Sequence, residues 1–149
     1  MATFLFRNME IYYEDHGSGE PLLVLNGIFM SCASWEKFVP SFSKKCRLLL
    51  LDFVDQGRSA KAESEHSQAL QVDLVDAFLD HMALETCSIV GISYGGEIAL
   101  SYASAHPDRV KKLILSNTGP NTSDWLRDIG HSWEYACQSR DGSQFFKTC

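Results

Sequence analysis

The run Ser88-Ile89-Val90-Gly91-Ile92-Ser93-Tyr94-Gly95-Gly96-Glu97-Ile98-Ala99-Leu100 constrains this chain more than any other stretch. A short apolar strand, Cys87 to Val90, runs into Gly-x-Ser-x-Gly-Gly, and a helix-forming apolar pattern follows at once, from Gly95 to about Ala105. A serine on so tight a strand-to-helix turn must take a strained backbone conformation, with its hydroxyl pushed out to the top of a sheet. Gly91 and Gly95 are what such a turn needs, because a β-carbon at either place would strike the neighbouring strand or helix. The new helix also aims its unpaired N–H groups at whatever sits on the serine. Local geometry of this kind builds a nucleophile.

The flanking sequence alternates strands and helices. Phe4 to Asp15 reads as two short strands joined by a turn at Arg7-Asn8-Met9, and Gly17-Ser18-Gly19 makes a loop. Pro21 to Leu25 and Arg47 to Leu51 are wholly apolar strands of the kind buried on both faces. Between them Trp35, Phe38, Val39 and Phe42 fall on one helical face, with Pro40 expected to kink or restart the helix. From Ser67 to Met82 an amphipathic helix carries Leu70, Leu74, Val75, Phe78, Leu79 and Met82 on one stripe. His106-Pro107 stops the helix after the serine, and Val110 to Ser116 is expected to form a fourth buried strand. Beyond Gly119-Pro120 the character changes to weaker helical patterns with Trp125, Trp133, Tyr135, Phe145 and Phe146 and no further strand.

This alternation predicts an α/β fold: a mostly parallel sheet with helices on both faces, in three αβα layers. Chemistry in such sheets sits beyond the carboxyl ends of the strands. Three loops therefore matter: Asn26-Gly27-Ile28-Phe29, then Asp52 to Ser59, then the serine turn.

Charge and cysteine usage exclude several classes. The net charge is −6 and no basic stripe appears, which argues against nucleic-acid binding. No apolar run approaches the ~20 residues of a membrane span, and the N-terminus lacks a basic segment followed by a long apolar one. The five cysteines, at 32, 46, 87, 137 and 149, are odd in number and scattered, which fits reduced thiols in a cytoplasmic protein.

Four motifs in order carry a family resemblance: Leu25-Asn26-Gly27, Asp52-x-x-x-x-Gly57-Arg58-Ser59, Gly91-Ile92-Ser93-Tyr94-Gly95-Gly96 and His106-Pro107-Asp108-Arg109-Val110. Together they resemble the α/β-hydrolase superfamily, in its lactonase, esterase and meta-cleavage-hydrolase branch, over residues 10 to 120. The resemblance implies that Ser93 is the nucleophile of an acyl-enzyme mechanism on an ester, lactone or thioester. It implies an oxyanion hole made by the backbone N–H groups of Tyr94 and Ile28. Phe29 is a candidate wall of an acyl pocket, and Trp125 and Trp133 either line that pocket under a lid or are plain lid core. A small-molecule acyl substrate is implied, with no metal or organic cofactor.

The chain departs from the family pattern in places. Asn26-Gly27 stands where the family often has His-Gly, and Val54-Asp55-Gln56-Gly57 where it often has Arg-Gly-His-Gly. The Asn-Gly loop with Ala33-Ser34-Trp35 also resembles acyltransferases of the same fold that join hydroxyacyl chains. Acyl transfer to an alcohol, and ligand binding without catalysis, are therefore alternatives to hydrolysis. In this family the acid and the histidine follow the serine on later strands. The organisation expected is thus residues 1–120 as the N-terminal part of the core and 121–149 as the start of a helical lid. The C-terminal part of the core, with acid and base, is expected beyond Cys149. Among the histidines, His16 and His66 read as solvated in polar loops, His81 as surface and His106 as structural; only His131, with Asp128 before it, follows Ser93 in triad order. The last strand is expected to stand as an apolar sheet edge open to self-association.

Overall fold

The computed structural model describes residues 2–148, of which Gln144, Phe145 and Thr148 are described in backbone only; Cys149 and the Phe145 side chain lie outside the described residues. The chain forms two compact units, Met1–Thr118 and Gly119–Cys149.

The first unit opens with a hairpin of β1 (Ala2–Phe6) and β2 (Met9–His16). Its two turn residues, Arg7 and Asn8, both take left-handed backbone angles (φ 49° and 66°), the geometry that matches the twist of a tight hairpin. The other strands are β3 (Pro21–Leu25), β4 (Arg47–Leu51), β5 (Cys87–Ile92) and β6 (Val110–Ser116). They form one sheet in the order β1-β2-β4-β3-β5-β6, antiparallel from β1 to β4 and parallel from β4 to β6.

The period of two along the central strands divides the core. Leu49 and Leu51 of β4, with Leu23, Leu25 and Ile89, face α2 (Gln68–His81) and α3 (Tyr94–Ala105). Leu48, Leu50 and Val24 face the other way, where Trp35, Val39 and Phe42 cover them. Helical cover lies on both faces, as the strand–helix alternation predicts.

Three expectations are corrected. The single helical face from Trp35 to Phe42 is two pieces, a 3-10 turn at Cys32–Trp35 and a short α1 at Val39–Phe42, with Phe38 between them exposed. Pro40 stands in the first turn of α1, where its missing N–H is harmless, so the helix starts there. β5 runs two residues further than Val90, through Gly91 and Ile92. β6 is not buried: Val110 and Leu113 pack on the core, but Ile114 and Leu115 are exposed. Its position explains this, because among the described residues β6 is an edge strand hydrogen-bonded only to β5.

The second unit holds α4 (Asp124–Gln138) and α5 (Gly142–Thr148). Ser123 caps α4, its hydroxyl accepting from the Leu126 N–H at 3.3 Å. No helix among the described residues is long and apolar enough to cross a membrane.

Candidate active site

Ser93 stands where β5 ends and α3 begins, as the N-cap of the helix, with φ 50° and ψ −118°. A serine with positive φ is strained, and the surroundings hold it there. Its N–H donates to the Ser116 carbonyl of β6 at 2.9 Å, and its own carbonyl accepts from Gly96 and Glu97 at 2.8 and 3.2 Å. The residue itself is exposed.

The two glycines are required by closeness. A β-carbon on Gly91 would lie 2.6 Å from the Gly96 Cα and 2.8 Å from the Ala99 methyl, inside the helix. One on Gly95 would lie 2.2 Å from the Leu25 carbonyl oxygen, inside the neighbouring strand. The helix therefore sits directly on β5 and on the end of β3, which brings the loop after β3 against Ser93. A β-carbon on Gly27 would stand 3.3 Å from the Ile92 carbonyl and 3.5 Å from the Ser93 Cβ.

That loop is tied down by polar side chains. Asn26 is fully buried; its amide donates to the Leu51 carbonyl at 3.0 Å and accepts from the Trp35 indole N–H at 2.8 Å. Asp52 accepts from the Cys32 N–H at 2.7 Å and from the Arg58 N–H at 2.9 Å, joining the first loop to the second. Its role is structural, as its place at a strand end suggests. The Gly27 carbonyl accepts from Met30 N–H at 3.2 Å and from the Gln56 amide at 3.4 Å. Phe29 is held at φ 64°. Among the described residues, the Ile28 and Tyr94 N–H groups donate to no protein acceptor.

A cavity of about 490 Å³ opens beside these groups, lined by residues including Ile28, Phe29, Gln56, His66 and Tyr94. Its volume suits a small ligand. Tyr94 meets Phe53 edge-on at 5.9 Å. Burial, with Glu97 and Asp55 nearby, pushes the Tyr94 hydroxyl above its ordinary range, so it stays neutral.

Sequence reasoning missed the pairing of Asp55 with His66, whose ring nitrogen lies 2.7 Å from the carboxylate. Asp55 also accepts from the Ala62 N–H at 2.9 Å. Burial alone would raise the Asp55 carboxyl, but these two hydrogen bonds, together with electrostatic attraction from His66 and Lys61, hold the group below the usual carboxylate range. His66 lies in an exposed loop, as read from the sequence, and its ring is also partnered at the cavity wall. Nothing short of the folded loop shows this, since eleven residues separate the two. Gln71, inside an apolar stripe, was also unforeseen; fully buried, it brackets Val54 with hydrogen bonds to its N–H and carbonyl at 3.2 Å each.

The other histidines have their own contacts. His16 ends β2 and does not lie in a loop; it pairs with Glu14 at 2.8 Å. His81 stacks on Phe4 and meets the Tyr13 hydroxyl at 3.0 Å, and His106 stacks on Tyr102. In the second unit His131 and Asp128 are both exposed on α4 and no hydrogen bond or ion pair joins them. Trp125 lies in the first turn of the same helix. Among the described residues no group of three or more His, Cys, Asp or Glu side chains is placed to hold a metal ion.

A strained serine on a strand-to-helix turn at the carboxyl end of a mostly parallel sheet defines a class, and the chain belongs to the α/β-hydrolase fold family, which matches residues 20–146. It is 30% identical over 125 residues to 2-hydroxymuconate semialdehyde hydrolase of a Pseudomonas species, covering 81% of this chain and 44% of that protein. It is 34% identical over 113 residues to pimeloyl-[acyl-carrier protein] methyl ester esterase of Aeromonas hydrophila, covering 75% and 43%. Among solved structures, an α/β-hydrolase enzyme from a Medee basin deep-sea metagenome library superposes with a TM-score of 0.95 at 38% identity, over 99% of this chain and 55% of that one. The chain therefore spans less than half the length of these curated relatives.

Proposed function

We propose that this chain carries the nucleophile and the oxyanion donors of a serine hydrolase that cleaves an ester, lactone or thioester through an acyl-enzyme. The observation that carries the reading is the placement of Ser93: strained, exposed, and beside two backbone N–H groups with no protein acceptor among the described residues. The Ser93 Oγ attacks the substrate carbonyl and gives up its proton to a histidine base. The Ile28 and Tyr94 N–H groups hold the tetrahedral oxyanion, and losing one such donor typically raises a barrier by ~3 kcal/mol. The tetrahedral adduct collapses as the substrate's C–O or C–S bond breaks, and the leaving alcohol or thiol takes the proton from the histidine. Water then attacks the acyl-enzyme carbonyl and gives its proton to the histidine, the serine oxygen leaves with that proton, and the acid is released. The base is read as coming from outside residues 1–149, since among the described residues no hydrogen bond joins Ser93 to His16, His66, His81, His106 or His131. The cavity beside Ile28 and Phe29 takes the acyl group, and residues 121–149 are read as the start of a helical lid. The relatives that hydrolyse a semialdehyde product and a methyl ester are consistent with carbonyl substrates of this kind.

The test is Ser93→Ala in the complete polypeptide that carries residues 1–149, assayed on short p-nitrophenyl esters. Turnover is expected to vanish while the circular dichroism spectrum stays unchanged. An unaltered rate would remove Ser93 from the mechanism.

A further inference from the structure

An oxyanion donor is useful only if its N–H is aimed before the substrate arrives. The Ile28 N–H belongs to the peptide unit whose carbonyl is that of Gly27, and in a trans peptide the two groups point in opposite directions. Whatever grips the Gly27 oxygen therefore aims the Ile28 hydrogen. Two donors grip it: the Met30 N–H within the loop and the Gln56 side-chain amide from across it. The loop needs an outside hold, because Phe29 sits in a left-handed conformation that an aromatic residue abandons unless its surroundings over-determine it.

Gln56 is an odd choice for mere filling. Its Oε1 is buried and has no hydrogen-bond partner among the described residues. A buried acceptor left unpaired carries a desolvation cost that an apolar side chain of the same length would avoid. Turning the amide over would set its oxygen against the Gly27 oxygen, so the hydrogen-bond network fixes the present orientation. The backbone under Gln56 is fixed as well. Its N–H donates to Phe53 and its carbonyl accepts from Ser59, both at 3.0 Å, and Asp55 is locked by His66 and Ala62.

We propose that Gln56 is a positioning residue for catalysis: its amide N–H holds the Gly27 carbonyl and so aims the Ile28 N–H at the developing oxyanion. The inference rests on the serine-hydrolase reading above. It also explains why a polar side chain with an unpaired acceptor is kept beside the loop after β3.

The experiment compares Gln56→Met and Gln56→His with the parent in the complete polypeptide, alongside Ser93→Ala. Gln56→Met is expected to lower kcat by about tenfold with KM within about twofold, since only transition-state contacts are disturbed. Its melting temperature is expected to equal or exceed the parent's, because the unpaired buried acceptor is gone. Gln56→His, which restores a ring N–H, is expected to recover most of kcat. An unchanged kcat in Gln56→Met, with activity still dependent on Ser93, overturns the proposal alone. A lower kcat accompanied by a lower melting temperature and no recovery by histidine also overturns it, as that is the pattern of a packing residue. Activity that survives Ser93→Ala overturns the underlying reading and the inference with it.

Discussion

Gly95→Ala puts one methyl group between α3 and the end of β3. The added carbon would lie 2.2 Å from the Leu25 carbonyl oxygen, 2.4 Å from its carbon and 2.6 Å from the Asn26 oxygen, where ordinary contact begins at 3.4 Å. All three atoms are backbone of a buried strand and of the loop behind it, so no rotamer change relieves the clash. Helix and strand must separate by about 1 Å, and that separation falls between Ser93 and the Asn26-Gly27-Ile28 loop. Overpacking of this kind costs about 1–3 kcal/mol. For a domain of this size that is a fall in melting temperature of about 2–12 °C. A misplacement of ~1 Å between nucleophile and oxyanion donors costs about a hundredfold in rate. Gly130→Ala is the control, because a β-carbon there meets nothing within 4 Å. Alanine in that helix is favoured over glycine by about 1 kcal/mol. The assays are thermal denaturation followed by circular dichroism, and the rate of covalent labelling of the complete polypeptide by a fluorophosphonate. A Gly95→Ala protein that melts within a degree of the parent and labels at the parent rate would refute the reasoning from close approach.

Cysteine chemistry gives a second expectation. Burial pushes the Cys87 thiol up to about 12, and burial with Asp52 alongside pushes the buried Cys32 thiol higher still. Both should resist iodoacetamide at pH 8 in the native protein and react once it is unfolded, while exposed Cys137 reacts at once, as peptide mass mapping will show. Rapid native alkylation of Cys87 would contradict its placement. The open edge of β6, with Ile114 and Leu115 exposed, predicts that the 149-residue chain self-associates with rising concentration and that Leu115→Lys reduces this in sedimentation velocity. A chain that sediments as a monomer at every concentration would count against pairing at that edge.

The elbow was legible because its signal is local. Gly91, Ser93 and Gly95 lie within five residues, and the strand and helix flanking them fix their geometry. The mostly parallel sheet was legible from the alternation of strands and helices, since parallel neighbours require crossovers. What escaped prediction depends on contacts across the sequence. Asp55 finds His66 only after the loop folds back. Gln71 sits on an apolar stripe yet serves Val54, a partner seventeen residues away. β6 was expected as an apolar sheet edge and is one, but its composition suggested burial of Ile114 and Leu115, which the edge position leaves exposed. Phe38 fits a helical period that Pro40 interrupts, so pattern matching buried it while the backbone left it out.

The strain at Ser93 sets chemistry and stability against each other at a single residue. With φ at 50°, glycine would rest there without penalty, while a side-chain-bearing residue holds about 1–3 kcal/mol of local strain. Random change toward glycine would make the chain sturdier and silent. A population of such chains left without selection for turnover would drift toward the sturdier form. On the proposed mechanism the hydroxyl at position 93 is a trace of use: the backbone alone gives no reason to keep it.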